Sequence, residues 1–505
     1  MSTSHFSADP LKALFWHYVE YLSSPGGVLA VAIVIVPLVL LRVYENRHNR
    51  PDAPIVSIEG CQPLGIQPYS NGSRRTRSNL DDQYQRLPDT TEIEVPRVKA
   101  LFTHPVKSCR GVELSSSEVG PQGLKYDRLF SFAQLISKPA QPLENGQVSE
   151  PSSEWNHQWR FITQREFPRL ALVRTELHVP QRRRESTKAS EKSSKSSGSN
   201  SKRNRSRTRG STLHGKLEEG SQSKDALLAQ RVESWESNGG CLSITFTNDL
   251  DFHLSNPFAS RSEEVTIRLP LMPTSERRKA KQYSRETLSI WKDSPEAYNV
   301  TNEIPAGDLA KLQYFLGVSN PFALFRVDEE NLRSITRCLP TDAPGQEFKV
   351  GLADGFPVNI LNIASVRALD DALPTKAELR GKLDARRFRA NIYVQHHEPY
   401  IEDTWKIITT GRRLGRDSQG RFETDAEYYI ACRCARCKLP NVDPATGVKD
   451  RNEPSTVLSK TRKVDESALP HPCLGVQVIP RFQVGVIRVG DEIDVVQTGS
   501  HCVGE

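Results

Sequence analysis

The chain reads as a mainly β protein with minor helices, organised as β-barrels, with one membrane-spanning helix ahead of them. Three observations lead there. Past residue 96 the apolar side chains alternate in short runs, as in Val98–Lys99–Ala100–Leu101–Phe102–Thr103 and Leu242–Ser243–Ile244–Thr245–Phe246. That period of two is the mark of a strand with one face buried. The runs are many and separated by turn residues, the last of them, Gly485–Val496, reading as a hairpin, whereas helical spacing is confined to short stretches at Asp308–Leu316 and Ala364–Leu373, the pattern of a barrel rather than a bundle. Finally, Leu22–Leu41 contains no charged residue.

Those twenty residues span ~30 Å as a helix, the thickness of a bilayer core. Phe15, Trp16, Tyr18 and Tyr21 precede them as an interfacial belt. A cleaved signal peptide and a buried core helix are the rival readings. The run ends in Arg42–Val43–Tyr44–Glu45–Asn46–Arg47 without a small-residue cleavage site, which argues against the first. The upstream flank is net −1 and the downstream flank net +2, so the bulk of the chain is expected to face the cytosol. No Arg-rich amphipathic presequence is present, which argues against import into the mitochondrial matrix.

The expected organisation is an anchor over 1–50, a polar linker over 51–95, a first folded block over 96–319 and a second over 320–500. Within the first block, residues 178–232 form a Ser/Lys/Arg tract with too few apolar residues to fold. The chain carries a formal charge of +7, but Gln181–Gly210 alone holds eleven Lys/Arg against two Glu. The remainder is close to neutral, which removes any case for nucleic-acid binding from bulk charge. Nine cysteines follow no even framework, and in a cytosol-facing domain they are expected to be free.

Two stretches carry chemistry. His104–Pro105–Val106–Lys107–Ser108–Cys109–Arg110–Gly111 is a basic turn; Lys107, Ser108 and the later Arg128 offer two cations and a hydroxyl to an anion. Cys432–Arg433–Cys434–Ala435–Arg436–Cys437 follows a strand-like Tyr428–Tyr429–Ile430–Ala431 and precedes the turn-rich Asp443–Pro444–Ala445–Thr446–Gly447. It admits three readings. The thiols are buried structural residues, or they hold zinc with Cys473 or His471 as fourth ligand, or one of them ligates a softer metal that arrives with its own organic ligand.

Taken together, His104–Gly111, the Gly123–Leu124 and Asp127–Arg128 pairs, Phe388–Arg389–Ala390–Asn391–Ile392, Glu402–Asp403–Thr404–Trp405, and Arg436–Cys437 with Val442–Gly447 resemble the MOSC proteins. Within them the chain is most similar to the mitochondrial amidoxime-reducing component and its bacterial relatives. The resemblance covers roughly 96–178 and 285–498. It implies a MOSC N-terminal β-barrel-like domain followed by a MOSC-type β-barrel domain, and a molybdenum cofactor, a pyranopterin that presents a dithiolene to molybdenum. It further implies that Cys437 is the metal ligand, that Cys437 and Asp403 are catalytic, and that Lys107, Ser108, Arg128, Asp354, Arg389, Asn391, Arg436 and Cys437 hold the cofactor. The implied reaction is removal of oxygen from small N-hydroxylated substrates such as amidoximes and hydroxylamines.

That reaction needs two electrons. The sequence has no C-x-x-C-H motif, no iron–sulfur cysteine set and no dinucleotide fingerprint. A carboxy-terminal ferredoxin domain, as in some bacterial relatives, is not expected, nor is pyridoxal phosphate. The resemblance therefore implies a b-type cytochrome and its flavin reductase on the same membrane, the mitochondrial outer membrane or, alternatively, the endoplasmic reticulum. Two rival functions stay open: a non-catalytic carrier of molybdenum cofactor or cysteine-bound sulfur, and a zinc-stabilised interaction module.

Overall fold

The computed structural model describes residues 57–66, 69–70, 74–75, 78–85, 95–139, 155–181, 232–248, 263–411 and 426–501, with 24–26, 29, 36 and 37 of the amino-terminal segment. Most of the expected membrane span at 22–41 and most of the basic tract at 178–232 lie outside the described residues. Among the described residues no helix is long and apolar enough to cross a membrane.

Strands dominate, in two barrels. One is closed by Ser284–Ser289, Glu296–Asn299, Phe322–Val327, Phe130–Pro139 and Trp155–Phe161. Its interior is filled by Ala133, Phe161, Leu288, Ile290, Ala297 and Phe325. A four-stranded antiparallel sheet of Cys61–Leu64, Arg174–Pro180, Cys241–Asn248 and Glu263–Pro270 accompanies it. Between them, Phe130, Phe132, Leu242, Ile244, Ile267 and Leu269 share a core with Leu312, Phe315 and Leu316 of the helix Ala306–Leu316. That helix starts after Pro305, carries Asp308 in its first turn and stops at Gly317, whose φ of 75° is left-handed. Each of those three residues suits its end of a helix.

The second sheet has eight strands, in the order Ile392–Gln395, Val358–Asn362, Cys473–Pro480, Glu427–Ala435, Trp405–Gly411, Glu492–Thr498, Arg97–Thr103 and Val112–Leu114. Pairing of Ile392–Gln395 with Arg97–Thr103 closes it into a barrel. The strand that opens the first sequence block is thus a wall of the barrel built mostly from the second. Both faces of these strands are covered. Val98, Leu101, Val358, Ile360, Ile392, Val394, Trp405 and Val476 point into the barrel. The alternate residues Ala100, Phe102, Leu361, Tyr393 and Leu474 pack against Ile363, Val366 and Leu369 of the helix Ile363–Asp371, and against Phe388, Val457 and Leu458. Covering both faces is why Val358–Asn362 is wholly buried and reads as a continuous run rather than an alternation.

Two sequence expectations are corrected here. Gly485–Val496 reads as a hairpin, yet Gly485–Arg488 pairs with Ser116–Gly120 while Glu492–Thr498 pairs with Trp405–Gly411. Alternation sets which face of a strand is buried, not which neighbour it finds. The thiols were expected at a strand end, but Glu427–Ala435 runs through Cys432 and Cys434 and leaves only Cys437 beyond it.

Gly123 shows how tightly the parts fit. Its φ is 97°, and a Cβ there would lie 2.4 Å from the carbonyl oxygen of Pro357, just before the buried Val358 strand. Gly123→Ala is expected to cost ~1–3 kcal/mol, read as a lower denaturant midpoint with an unchanged slope.

Candidate functional site

Barrel closure brings the basic turn to the Arg389 segment. The Phe102 N–H donates to the Asn391 carbonyl at 2.8 Å, and Asn391 Nδ2 donates to the Phe102 carbonyl at 3.2 Å. The turn that follows is tied to the Arg128 segment. Lys107 N–H reaches the Phe130 carbonyl at 2.8 Å, and Arg128 N–H reaches the His104 carbonyl at 2.8 Å. Ser108, Arg128 and Arg389 all have left-handed backbones, with φ of 67°, 48° and 53°. Such conformations are costly for side-chain-bearing residues and concentrate at functional sites.

The charges at this junction are unevenly matched. Lys107 is buried, and its ammonium donates to the Leu352 carbonyl at 3.1 Å and to Asp354 Oδ1. Burial pushes its pKa down, opposed by the Asp354 charge. Arg128 pairs with Asp127 and donates to the Arg389 carbonyl at 3.2 Å. Arg389 donates to the Cys109 carbonyl at 2.6 Å, while its Nη2 is buried without a partner. Among the described residues no carboxylate pairs with it. Burial and the neighbouring Arg128 pull its pKa down to about 10. Burial, Arg389 and Arg128 also push His104 down to about 3, which leaves that imidazole neutral at physiological pH. Ser108 is buried beside Lys107, and its carbonyl accepts from Gln164 Nε2 at 2.7 Å.

Arg436, the neighbour of Cys437, reaches the Phe388–Asn391 segment of this junction. Arg436 donates to the Leu474 carbonyl at 2.8 Å, the Phe388 carbonyl at 2.8 Å and Asn359 Oδ1 at 3.2 Å, and lies over the Phe388 ring at 5.5 Å. It too has no carboxylate partner among the described residues. Asn359 is paired to Asn391 through the backbone, and its own Nδ2 is buried and unpartnered. After Cys437 the chain is fixed by Arg387, which donates to Asp443 Oδ2 at 2.6 Å and to the Pro440 and Asn441 carbonyls at 3.2 and 3.3 Å. Asp443 Oδ1 in turn accepts from Ala445 N–H and Thr446 N–H at 2.8 and 3.1 Å. Residues 387–389 thus act as three adjacent fingers: one clamps the loop after the thiol, one receives Arg436, and one turns to the basic junction.

The thiols do not converge. Cys434 is buried and accepts from Gln477 Nε2 at 3.0 Å, and burial raises its pKa. Contact with Cys338, then burial, raises that of Cys432. Cys437 is partly exposed. Among the described residues no disulfide joins any of the eight cysteines, and no three His, Cys, Asp or Glu side chains are placed to share a metal ion.

Asp403 is held in a different network. Its Oδ2 meets Arg462 and lies 3.6 Å from Arg433 Nε, and its carbonyl accepts from His501 Nε2 at 2.6 Å. No described contact joins it to Lys107, Arg128 or Arg389. Its neighbour Glu402 is fully buried and accepts from Ser365 Oγ at 2.8 Å and Asn362 N–H at 3.2 Å. Asn359 and Arg387 are parts of the site that sequence reading missed, and Trp291, whose indole N–H donates to Asp354 Oδ1 at 3.1 Å, flanks it. Of these only Arg387 adjoins a recognisable motif. A separate depression lined by Tyr84, Val366, Asp370 and Leu383 shares no residue with this cluster.

With this geometry in view, comparison with known proteins is decisive for the family. A model described as the MOSC N-terminal beta barrel domain matches residues 95–235, and one described as the MOSC domain matches 347–494. The chain belongs to the MOSC-domain proteins. The cofactor associated with this family is the molybdenum cofactor. This MOSC-domain protein is 29% identical over 165 residues to mitochondrial amidoxime reducing component 2 of Rattus norvegicus, covering 32% of this chain and 43% of the relative. It is 32% identical over 149 residues to mitochondrial amidoxime-reducing component 1 of Mus musculus, covering 29% and 38%. A match to molybdenum cofactor sulfurase of Arabidopsis thaliana is 29% identical over 153 residues, covering 29% of this chain and 17% of the relative. The chain therefore spans roughly two-fifths of the length of the amidoxime-reducing components it matches.

The motif acid Glu402 generates a pH prediction. Burial and the Asp403 charge raise its pKa from 4.5 to about 7. The folded state thus binds more protons than the unfolded state between those values, and stability is lost as pH rises through that window. Glu402→Gln is expected to flatten this decline in urea midpoints measured at about pH 5 and about pH 8.

Proposed function

We propose that this MOSC-domain protein binds molybdenum cofactor at the Lys107–Arg128–Arg389–Cys437 junction and reduces small N-hydroxylated compounds, amidoximes and hydroxylamines, by removing oxygen as water. The observation that carries the reading is a cluster of buried donors with no acceptor from the protein. Arg389 and Arg436 lack carboxylate partners among the described residues, and Arg389 Nη2 and Asn359 Nδ2 are buried without acceptors. Buried donors left unpaired cost free energy, and a phosphate-bearing, acceptor-rich pterin supplies what they lack. The residues therefore fit the group.

When bound, the cofactor supplies a two-electron redox centre. The chain's own residues bind and orient. Arg389 and Arg128 offer fixed donors to anionic oxygen, guanidinium geometry being suited to phosphate. Lys107 adds a buried charge whose position is set by Asp354 and Leu352. Asn359 and Asn391 present amides beside the backbone ladder. Arg436 fixes the loop that carries Cys437, whose thiolate is the soft ligand such a metal accepts. Asp403, bound to Arg462, is assigned to holding the segment before Trp405 in place. The names of the relatives support the substrate class. Electrons would come from a b-type cytochrome and its flavin reductase. An amino-terminal anchor at Leu22–Leu41 in the mitochondrial outer membrane, with the domain facing the cytosol, would keep them near.

The test is metal analysis and turnover of full-length protein from a molybdenum-replete host. Stoichiometric molybdenum is expected, with amidoxime reduction when cytochrome, reductase and nicotinamide are supplied. Cys437→Ser should reduce turnover ~100-fold or more, and Arg389→Ala should lower molybdenum content ~10-fold or more. Cys432→Ser should retain both. Molybdenum without turnover would instead favour a carrier, and zinc with equal sensitivity of all three thiols would refute the site.

A further inference from the structure

Trp291 is placed as no core residue would be. It sits in a tight turn bridged by Ile290 and Asp293, with a left-handed φ of 57°. Its indole remains 48% exposed, although a large aromatic gains more from burial than almost any other side chain. Nevertheless it is held on several sides. The N–H donates to the same Asp354 oxygen that takes the Lys107 ammonium. The ring meets Phe161 edge-on, with centroids 5.1 Å apart, and Phe161 itself receives Lys107 Nζ at 5.2 Å from its centroid. Arg333 braces the turn from below, donating to Asp293 at 2.8 Å and to the Gly351 and Asp354 carbonyls at 2.9 and 3.3 Å.

Arg165 completes the arrangement. Its guanidinium lies 4.5 Å from the indole centroid, half-buried, and no carboxylate pairs with it among the described residues. The result is a fixed π surface with a cation against it, at the edge of the Lys107–Asp354 pair. A purely structural plug would not need a strained backbone to keep half its ring in water. Contacts with Asp354, Phe161 and Arg165 hold this side chain from within the protein, and a contact held in advance contributes most to affinity.

We infer that Trp291 and Arg165 form a specificity platform for the planar, conjugated part of an aryl-bearing N-hydroxylated substrate, a ring stacking on the indole beside the guanidinium. This rests on the reductase reading for the reaction, but ring binding is measurable without turnover.

The experiment uses the full chain carrying its cofactor. Benzamidoxime and N-methylhydroxylamine are titrated calorimetrically into wild type, Trp291→Ala and Trp291→Phe, and the kcat/KM ratio of the two substrates is measured in parallel. In Trp291→Ala the affinity for benzamidoxime and the aryl-to-methyl kcat/KM ratio should each fall about tenfold, with molybdenum content and unfolding midpoint held. Trp291→Phe, which keeps a ring but loses the N–H bond to Asp354, should restore most of the ratio. Loss of molybdenum, or an equal fall for both substrates, would overturn the inference and make the indole a brace for Asp354. An unchanged ratio would overturn it as well. If wild type binds benzamidoxime through Trp291 yet reduces neither compound, the platform stands and the reductase reading falls. If wild type reduces both while Trp291→Ala changes nothing, the reverse holds.

Discussion

The site depends on one backbone pairing, that of Arg97–Thr103 with Ile392–Gln395. Phe102 and Asn391, at the end of these two segments, are 289 residues apart in sequence, and the strands' hydrogen bonds are what make the second sheet a barrel. At the end of that ladder the Asn391 amide bonds Phe102. The chain then turns into His104–Ser108 on one side and has just left Arg389 on the other. The contacts of Arg389 with Arg128 and with the Cys109 carbonyl lie across this seam. The alternating burial of Leu101 and Ile392 inward, and of Phe102 and Tyr393 outward, holds its register, because a one-residue slip would send each side chain to the opposite face, into packing shaped for a different residue.

Electrostatics at the junction follow from that enforced proximity. Arg128 and Arg389 are positioned by backbone hydrogen bonds and carbonyl contacts rather than by attraction to acids, and only Arg128 has a close carboxylate. Stability alone would place an acid beside Arg389. Instead the fold accepts burial and mutual repulsion, in that order the causes of the lowered pKa values of Arg389 and His104. It keeps the imidazole neutral, and so avoids a further charge. Perturbation of this kind, by burial combined with specific charges, is typical of functional sites.

What sequence could reveal was set by how local each feature is. Lys107, Ser108 and Arg128 stand in short runs whose composition already suggests anion chemistry, and Cys437 in one that suggests thiol chemistry, whereas Arg389 and Asn391 were marked only by the family resemblance; the structure gathers Lys107, Ser108, Arg128, Arg389 and Asn391 around one barrel seam. Asn359 and Trp291 carry no such local mark. Asn359 lies in an apolar strand and gains meaning only from Arg436, 77 residues away. Trp291 gains it from Asp354, 63 residues away. The zinc reading drew on the closeness of three thiols in sequence, but Cys432, Cys434 and Cys437 meet Cys338, Gln477 and the Arg436 loop separately. The misread hairpin has the same origin: local pattern specifies a strand, whereas its partner is chosen by the assembled barrel.

The accompanying four-stranded sheet has a consequence for how such a chain can change over time. Arg174–Pro180 and Cys241–Asn248 are antiparallel neighbours, with His178 opposite Cys241. The backbone therefore leaves the sheet and rejoins it at positions roughly 5 Å apart. The entropic penalty for a connection between two such fixed points rises only with the logarithm of its length. Sequence can be gained or shed there at small thermodynamic cost while the register of both strands is preserved, so this seam is a natural port for acquiring new addresses, modification sites or docking segments on an unchanged pair of barrels.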